Sequence, residues 1–181
     1  MRKLKRPYNW LLTLPVFCIG LWGCPYSSPF ALDESPGINI QDELIGKWAV
    51  SVQKPRSQKT EPVKMILWKK NDTEYYISFT GYLDEMRPFH VIQNDSINGN
   101  AFISTAAGKQ FMNITIHSRI YLAELIFDHG SLSLLPLSEH FTSRIVQSNT
   151  SLRNCIEFHY KTRRQPLYDE EFCLRGMARV N

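Results

Sequence analysis

The chain has 181 residues, 43% of them hydrophobic, and a formal net charge of +4. That length suits one domain with a substantial core rather than two. The excess charge comes from Arg2, Lys3, Lys5 and Arg6. The rest of the chain balances 17 Lys/Arg against 17 Asp/Glu, which excludes the basic footprint of a nucleic-acid binder and a polybasic membrane patch.

After the basic hexapeptide MRKLKR comes an apolar run from Trp10 to Gly23, interrupted by Thr13 and Pro15. A basic head, a short apolar core and a small residue are the layout of a secretory signal peptide. A membrane-spanning helix needs about 20 apolar residues, and this run is shorter and contains a proline. Residues 1–23 are therefore expected to be a cleaved leader. Leu21, Gly23 and Cys24, in the stretch LWGC, resemble the lipobox of bacterial lipoproteins. The resemblance implies a thioether-linked diacylglycerol on Cys24, cleavage just before it, and acylation of the new N-terminus. Several acyl chains, at about 0.8 kcal/mol per buried methylene, make a stable anchor. By analogy with enterobacterial lipoproteins, Pro25 in place of an aspartate implies the outer membrane, facing the periplasm. The alternative is a eukaryotic secretory signal cut near Gly23 or Ser28. Asn-x-Ser/Thr triplets at Asn71, Asn94, Asn113 and Asn149 suit that alternative, although Asn113 falls inside a predicted strand.

Residues 24–41, with Pro25, Pro29, Pro36 and Gly37 and no sustained period, read as a flexible tether. A domain over 42–181 follows. Short strands are predicted at 47–53, 63–70, 74–83, 89–93, 101–106, 110–118, 120–128 and 131–137. Turn residues separate them, including Asn71-Asp72-Thr73 and Asp128-His129-Gly130. The apolar stretches MILW (65–68) and LIF (125–127) have no polar face and need cover on both sides. Ser138 is placed to cap a short helix over 138–148 with Phe141 and Ile145 on one face, which would supply that cover. Residues 154–162 alternate like a strand. The end is ambiguous: Asp169 could cap a helix, or Phe172 to Leu174 could form a last strand.

Strands at this spacing predict a mainly β protein, a small antiparallel β-barrel or a sandwich. The Gly46-Lys47-Trp48 triplet opening the first strand, followed by seven more strands, a helix and a further strand, resembles the lipocalin and wider calycin layout. That resemblance implies a barrel of about eight to ten strands with one short helix near the C-terminus, and Trp48 plugging one end. Lipocalins also place an arginine over that tryptophan at the end of strand eight. Counted from the strands above, none falls there; Arg144 comes later, in the predicted helix.

Four cysteines are present. Cys18 leaves with the leader and Cys24 takes the lipid, so Cys155 and Cys173 are expected to pair in a disulfide-permissive compartment. The loop of about 18 residues would be worth on the order of 3 kcal/mol. Zinc is the rival, with His159 as the adjacent third ligand. The Asp128-His129-Gly130-Ser131 stretch holds the residue types of a hydrolase triad. Consecutive turn residues point apart, however, so it reads as a hairpin turn with Gly130 at positive φ. His90, His117, His129, His140 and His159 show no metal-ligand spacing. Asp169, Glu170 and Glu171 read as a solvated helix start or turn. No catalytic residue, metal site or cofactor is expected, and no ligand-binding residue can be assigned. The expected function is a lipid-anchored envelope lipoprotein, not an enzyme, that presents its barrel to another envelope protein. The alternative is carriage of a small apolar ligand, a lipid or fatty acid, inside the barrel. The partners implied are the membrane, through the lipid, and one of those two; no nucleic acid is expected.

Overall fold

The computed structural model describes residues 25–53, 60–81, 96–162 and 167–180. The expected leader, Cys24, the strand expected at 89–93, His90 and Asn94 lie outside the described residues. Ten elements organise the rest: β1 (Ser27–Ser28), β2 (Gly46–Gln53), β3 (Thr60–Lys69), β4 (Tyr75–Gly81), β5 (Ser96–Ala106), β6 (Lys109–Ile116), β7 (Arg119–Asp128), β8 (Ser131–Pro136), α1 (Asn149–Thr162) and β9 (Leu174–Val180). Strands β2 to β9 form an antiparallel meander, and β9 pairs with both β8 and β2, closing an eight-stranded barrel. The short β1 adds to β7 outside the ring.

The alternation that predicted the strands also sorts their side chains. Met65 and Leu67 of β3, Tyr75 and Ile77 of β4, and Met112 and Ile114 of β6 enter one buried cluster inside the barrel. This is the period-two consequence of the pleat. Each such side chain contributes about 1.5–3 kcal/mol on burial. Two hairpins turn as their residues demand. Ala107 and Gly108 (φ 52° and 73°), and His129 and Gly130 (φ 49° and 76°), occupy the left-handed region at both central positions. That is the turn whose twist matches the flanking strands. Gly99 serves close approach instead: a Cβ there would stand 2.4 Å from the Thr115 carbonyl oxygen of the adjacent strand.

A second cluster lies outside the wall, where Phe111 of β6 and Leu122 of β7 meet Leu152, Cys155 and Ile156 of α1. The helix was expected eleven residues earlier, over 138–148. Ser138 does start a turn, accepting from the His140 amide at 3.2 Å, but the chain does not continue as a helix. Phe141 is buried in the outer cluster, whereas Ile145 is 81% exposed. The strand expected at 154–162 is the body of α1. Leu152, Cys155, Ile156 and His159 are its buried residues, spaced i, i+3, i+4 and i+7, and this helical stripe overrides the local alternation. Ser148 and Ser151 cap it reciprocally: each side chain accepts the other's amide, at 3.1 and 2.9 Å. Both readings of the C-terminal end hold in part, since a 3₁₀ turn at Glu170–Phe172 with Asp169 as its cap leads into β9.

Residues 25–41, expected to be a flexible tether, instead form a strap on the barrel. Pro25 bridges to Ser138, the Tyr26 amide donates to the Leu137 carbonyl (2.8 Å), and the Leu32 amide donates to the buried Asn113 side chain (2.7 Å). Arg153 of α1 pairs with Asp33. Further on, the Ile40 amide reaches the Asp72 carbonyl at 2.9 Å, and Ile38 and Ile40 pack on the inner core. The apolar residues Leu32, Ile38 and Ile40, interspersed among the prolines, are what hold the segment down.

Candidate functional site

The barrel has two unlike ends. At the end where β2 begins and β9 finishes, Leu44 and Trp48 are fully buried. The Trp48 indole donates to the Leu44 carbonyl at 2.9 Å, and the Phe127 ring meets it edge-on with centroids 6.1 Å apart. The Arg179 guanidinium lies over the indole face, 5.0 Å from its centroid, and donates to the Glu43 carbonyl. Counted around the barrel, β9 is the eighth strand, and Arg179 stands near its end, directly opposite Trp48 in the β2–β9 register. Sequence reading missed this arginine because it took 131–137 as the eighth strand and 154–162 as the next, whereas 154–162 is helical and β9 is eighth among the described strands of the ring. Pairing the Met-Ala-Arg-Val end with the strand of Trp48 is the step that finds it.

Among the described residues the opposite end is open. A cavity of about 80 Å³ lies there, walled by Val52, Val63, Phe79, Ile114, Ile116, Leu134 and Leu174 from six strands, with Tyr121 and Ala123 of β7. Pro25, Glu171 and Phe172 line it at the rim. A single water needs roughly 10–15 Å³ of such space. The cavity therefore has room for several methylene-sized groups. An apolar wall with one polar group at its edge is the chemistry of a site for an alkyl chain.

A polar cluster sits on the outer wall beneath α1. Glu124 is 2% exposed, and the Tyr160 and Tyr168 hydroxyls both donate to its Oε2, while Lys109 Nζ lies 3.7 Å from Oε1. Burial, reinforced by the bond to Glu124, pushes Tyr168 up to about 12 and moves Tyr160 in the same direction. Both phenols thus stay protonated and donating. The arrangement fastens the end of α1 and the 167–169 segment to β7.

The residues singled out from sequence scatter. Asp128 and His129, 3.5 Å apart, are exposed in the β7–β8 turn, and Ser131 opens β8. His117 and His140 are exposed while His159 is buried on α1. Among the described residues no group of three or more His, Cys, Asp or Glu is placed to hold a metal ion. The consecutive acids diverge. Asp169 is buried and caps the 3₁₀ turn by accepting from the Glu171 amide; Glu170 binds Arg175 at 2.8 Å; Glu171 reaches the cavity rim. Burial raises the Asp169 carboxyl.

Cys155 and Cys173, expected to pair, are both free. Cys155 faces the outer cluster from α1. Cys173 precedes β9, its thiol donating to the Asp169 carbonyl at 3.3 Å, so the two occupy different surroundings. Of the Asn-x-Ser/Thr positions, Asn113 is fully buried and bonded to Ser104, Phe102 and Leu32, and Asn71 holds the β3–β4 turn through its side-chain oxygen.

On the outer surface near the Trp48 end, Trp68 and Tyr76 stand opposite each other across β3 and β4, with ring centroids 6.0 Å apart. They are 41% and 42% exposed. Among the described residues no helix is long and apolar enough to cross a membrane. Compared with known proteins, the chain matches no family model, no curated protein and no solved structure.

Proposed function

We propose that this protein is an outer-membrane lipoprotein, anchored through Cys24, whose barrel binds the end of an alkyl chain in the cavity at its open end. The cavity carries this reading. A small barrel can fill its interior with side chains, and then only its outside would be available for recognition. Here side chains fill the half around Trp48 and leave apolar space at the other. The Trp48–Arg179 pair favours the calycin-like layout, in which one end is plugged and the other receives a ligand. The burial of Asn113 weighs against the glycosylated, secreted alternative at that position.

The test is displacement of a fluorescent fatty-acid probe from purified, delipidated protein, together with native mass spectrometry of protein extracted from membranes. Saturable binding, and a co-purifying mass that disappears on delipidation, are expected. Absence of both overturns ligand carriage. Intact mass of the extracted protein tests the anchor separately: it should begin at Cys24 and carry acyl chains.

The second reading is docking of another envelope protein, and the exposed Trp68–Tyr76 pair favours it. Aromatic pairs of this kind are over-represented at interfaces. Loss of a co-purifying protein in Trp68→Ser, with probe binding retained, would support it.

A further inference from the structure

We propose that the barrel stands with its open end against the lipid surface, so that the cavity exchanges its alkyl ligand directly with the bilayer. This rests on the lipoprotein and ligand readings above and adds an orientation to them. The observation behind it is where the strap begins. Pro25 lies on the cavity rim, beside Phe172, and bridges to Ser138 just past the end of β8. The next residues are fastened at once, Tyr26 to Leu137 and Ser27–Ser28 to β7. Consecutive Cα atoms are about 3.8 Å apart, so a lipid on Cys24 is attached one residue from the mouth. A free tether over 25–41 would have let the domain turn at a distance of about 20–25 Å. The strap removes that slack.

The rim offers the partly exposed Pro25, Val52 and Phe172. Exposed ion pairs stand at both ends, Lys69–Asp72 at the far end and Glu170–Arg175 beside the rim, so the orientation rests on the strap. In this orientation an alkyl chain passes from membrane to cavity without crossing solvent, and the Trp68–Tyr76 pair points away from the anchor.

The experiment uses the lipidated protein in phosphatidylcholine vesicles with brominated or ordinary acyl chains. Once the leader is removed, the tryptophans are Trp48 and Trp68, both at the far end. Their emission should be the same in the two vesicles, whereas Phe172→Trp, or Glu171→Trp if the first variant folds poorly, should add emission that brominated lipid quenches. Inserting about ten Gly/Ser residues between Cys24 and Pro25, a reach of roughly 17 Å, should abolish that quenching and slow uptake of probe from vesicles. Binding of the probe in detergent should be unchanged. Quenching of Trp48 and Trp68, or none of the introduced tryptophan in protein whose mass proves acylation, overturns the orientation alone. A mass without acyl chains overturns the lipoprotein reading and the orientation together. Absence of probe binding in detergent overturns ligand exchange.

Discussion

Arg179 and Trp48 face each other across the seam that closes the barrel, the guanidinium 5.0 Å above the indole, although they are 131 positions apart in the chain. The indole is in turn tied to Leu44, and the guanidinium to Glu43, so one pair fastens the last strand, the first strand and the turn beneath them. Trp48→Ala should cost about 3–5 kcal/mol, the range for removing a buried Trp or Phe. Arg179→Ala should cost about 0.5–1 kcal/mol, the range for an exposed cation over an aromatic ring. Urea denaturation of both single variants and the double variant should give a coupling energy above about 0.5 kcal/mol. Strict additivity would mean the seam is held elsewhere.

Filling the cavity should remove the ligand without unfolding the protein. Ala123 lies on the cavity wall, and Ala123→Leu places three further carbons into that space. Probe affinity is expected to fall at least about tenfold, equivalent to ~1.4 kcal/mol. The thermal midpoint should change little, because space is filled rather than crowded. Unchanged affinity would move the ligand site elsewhere.

Alkaline pH should weaken the fold through Tyr168 and Cys173. The Tyr168 phenol rises from 10.0 to about 12, through burial and then the bond it donates to Glu124. Burial lifts the Cys173 thiol from 9.0 to about 12, with Glu170 adding to it. Between the unfolded and folded values the native state holds the proton and the unfolded state has lost it, so stability falls as pH rises. The contribution is fully present below pH 9 and declines from there to about 12. Chemical denaturation at several pH values should show that decline, and Tyr168→Phe should make it shallower. A slope unaffected by the substitution would show that Tyr168 does not carry it.

Free thiols make a distinct prediction. With Cys155 buried and the Cys173 thiol held protonated at neutral pH, both should alkylate slowly in native protein and fully after unfolding, with no prior reduction needed. If reduction is required before either labels, the two cysteines form the disulfide that their number suggests, and the link before β9 takes a different path.

Seven of the eight barrel strands were legible within a few residues, for a local reason. Val63, Met65 and Leu67 recur at every second position of an apolar run bounded by turn residues, and His129-Gly130 can turn the chain whatever lies elsewhere. The cavity was not legible, since whether a barrel interior is full depends on side chains from seven strands meeting at one level. The strap was read as a tether because its prolines are conspicuous in composition, while the value of Leu32 appears only beside Asn113 and Phe111.

The amino-acid sequence by itself determined the pleated segments, their turns and the leader-like pattern of the N-terminus. These depend on neighbouring residues, whose φ preferences and period-two patterning act over a few bonds. The tertiary structure alone decided that β9 rather than an earlier segment closes the ring on β2, that 149–162 is a helix, and that Pro25 sits at the cavity mouth. Each of these is settled by surfaces brought together from distant parts of the chain. The apolar outer wall of β6 and β7 selects the helical stripe of Leu152, Cys155 and Ile156 over the alternation around it. Burial on that wall rewards three residues at helical spacing at once, where a strand would bring only alternate residues to it.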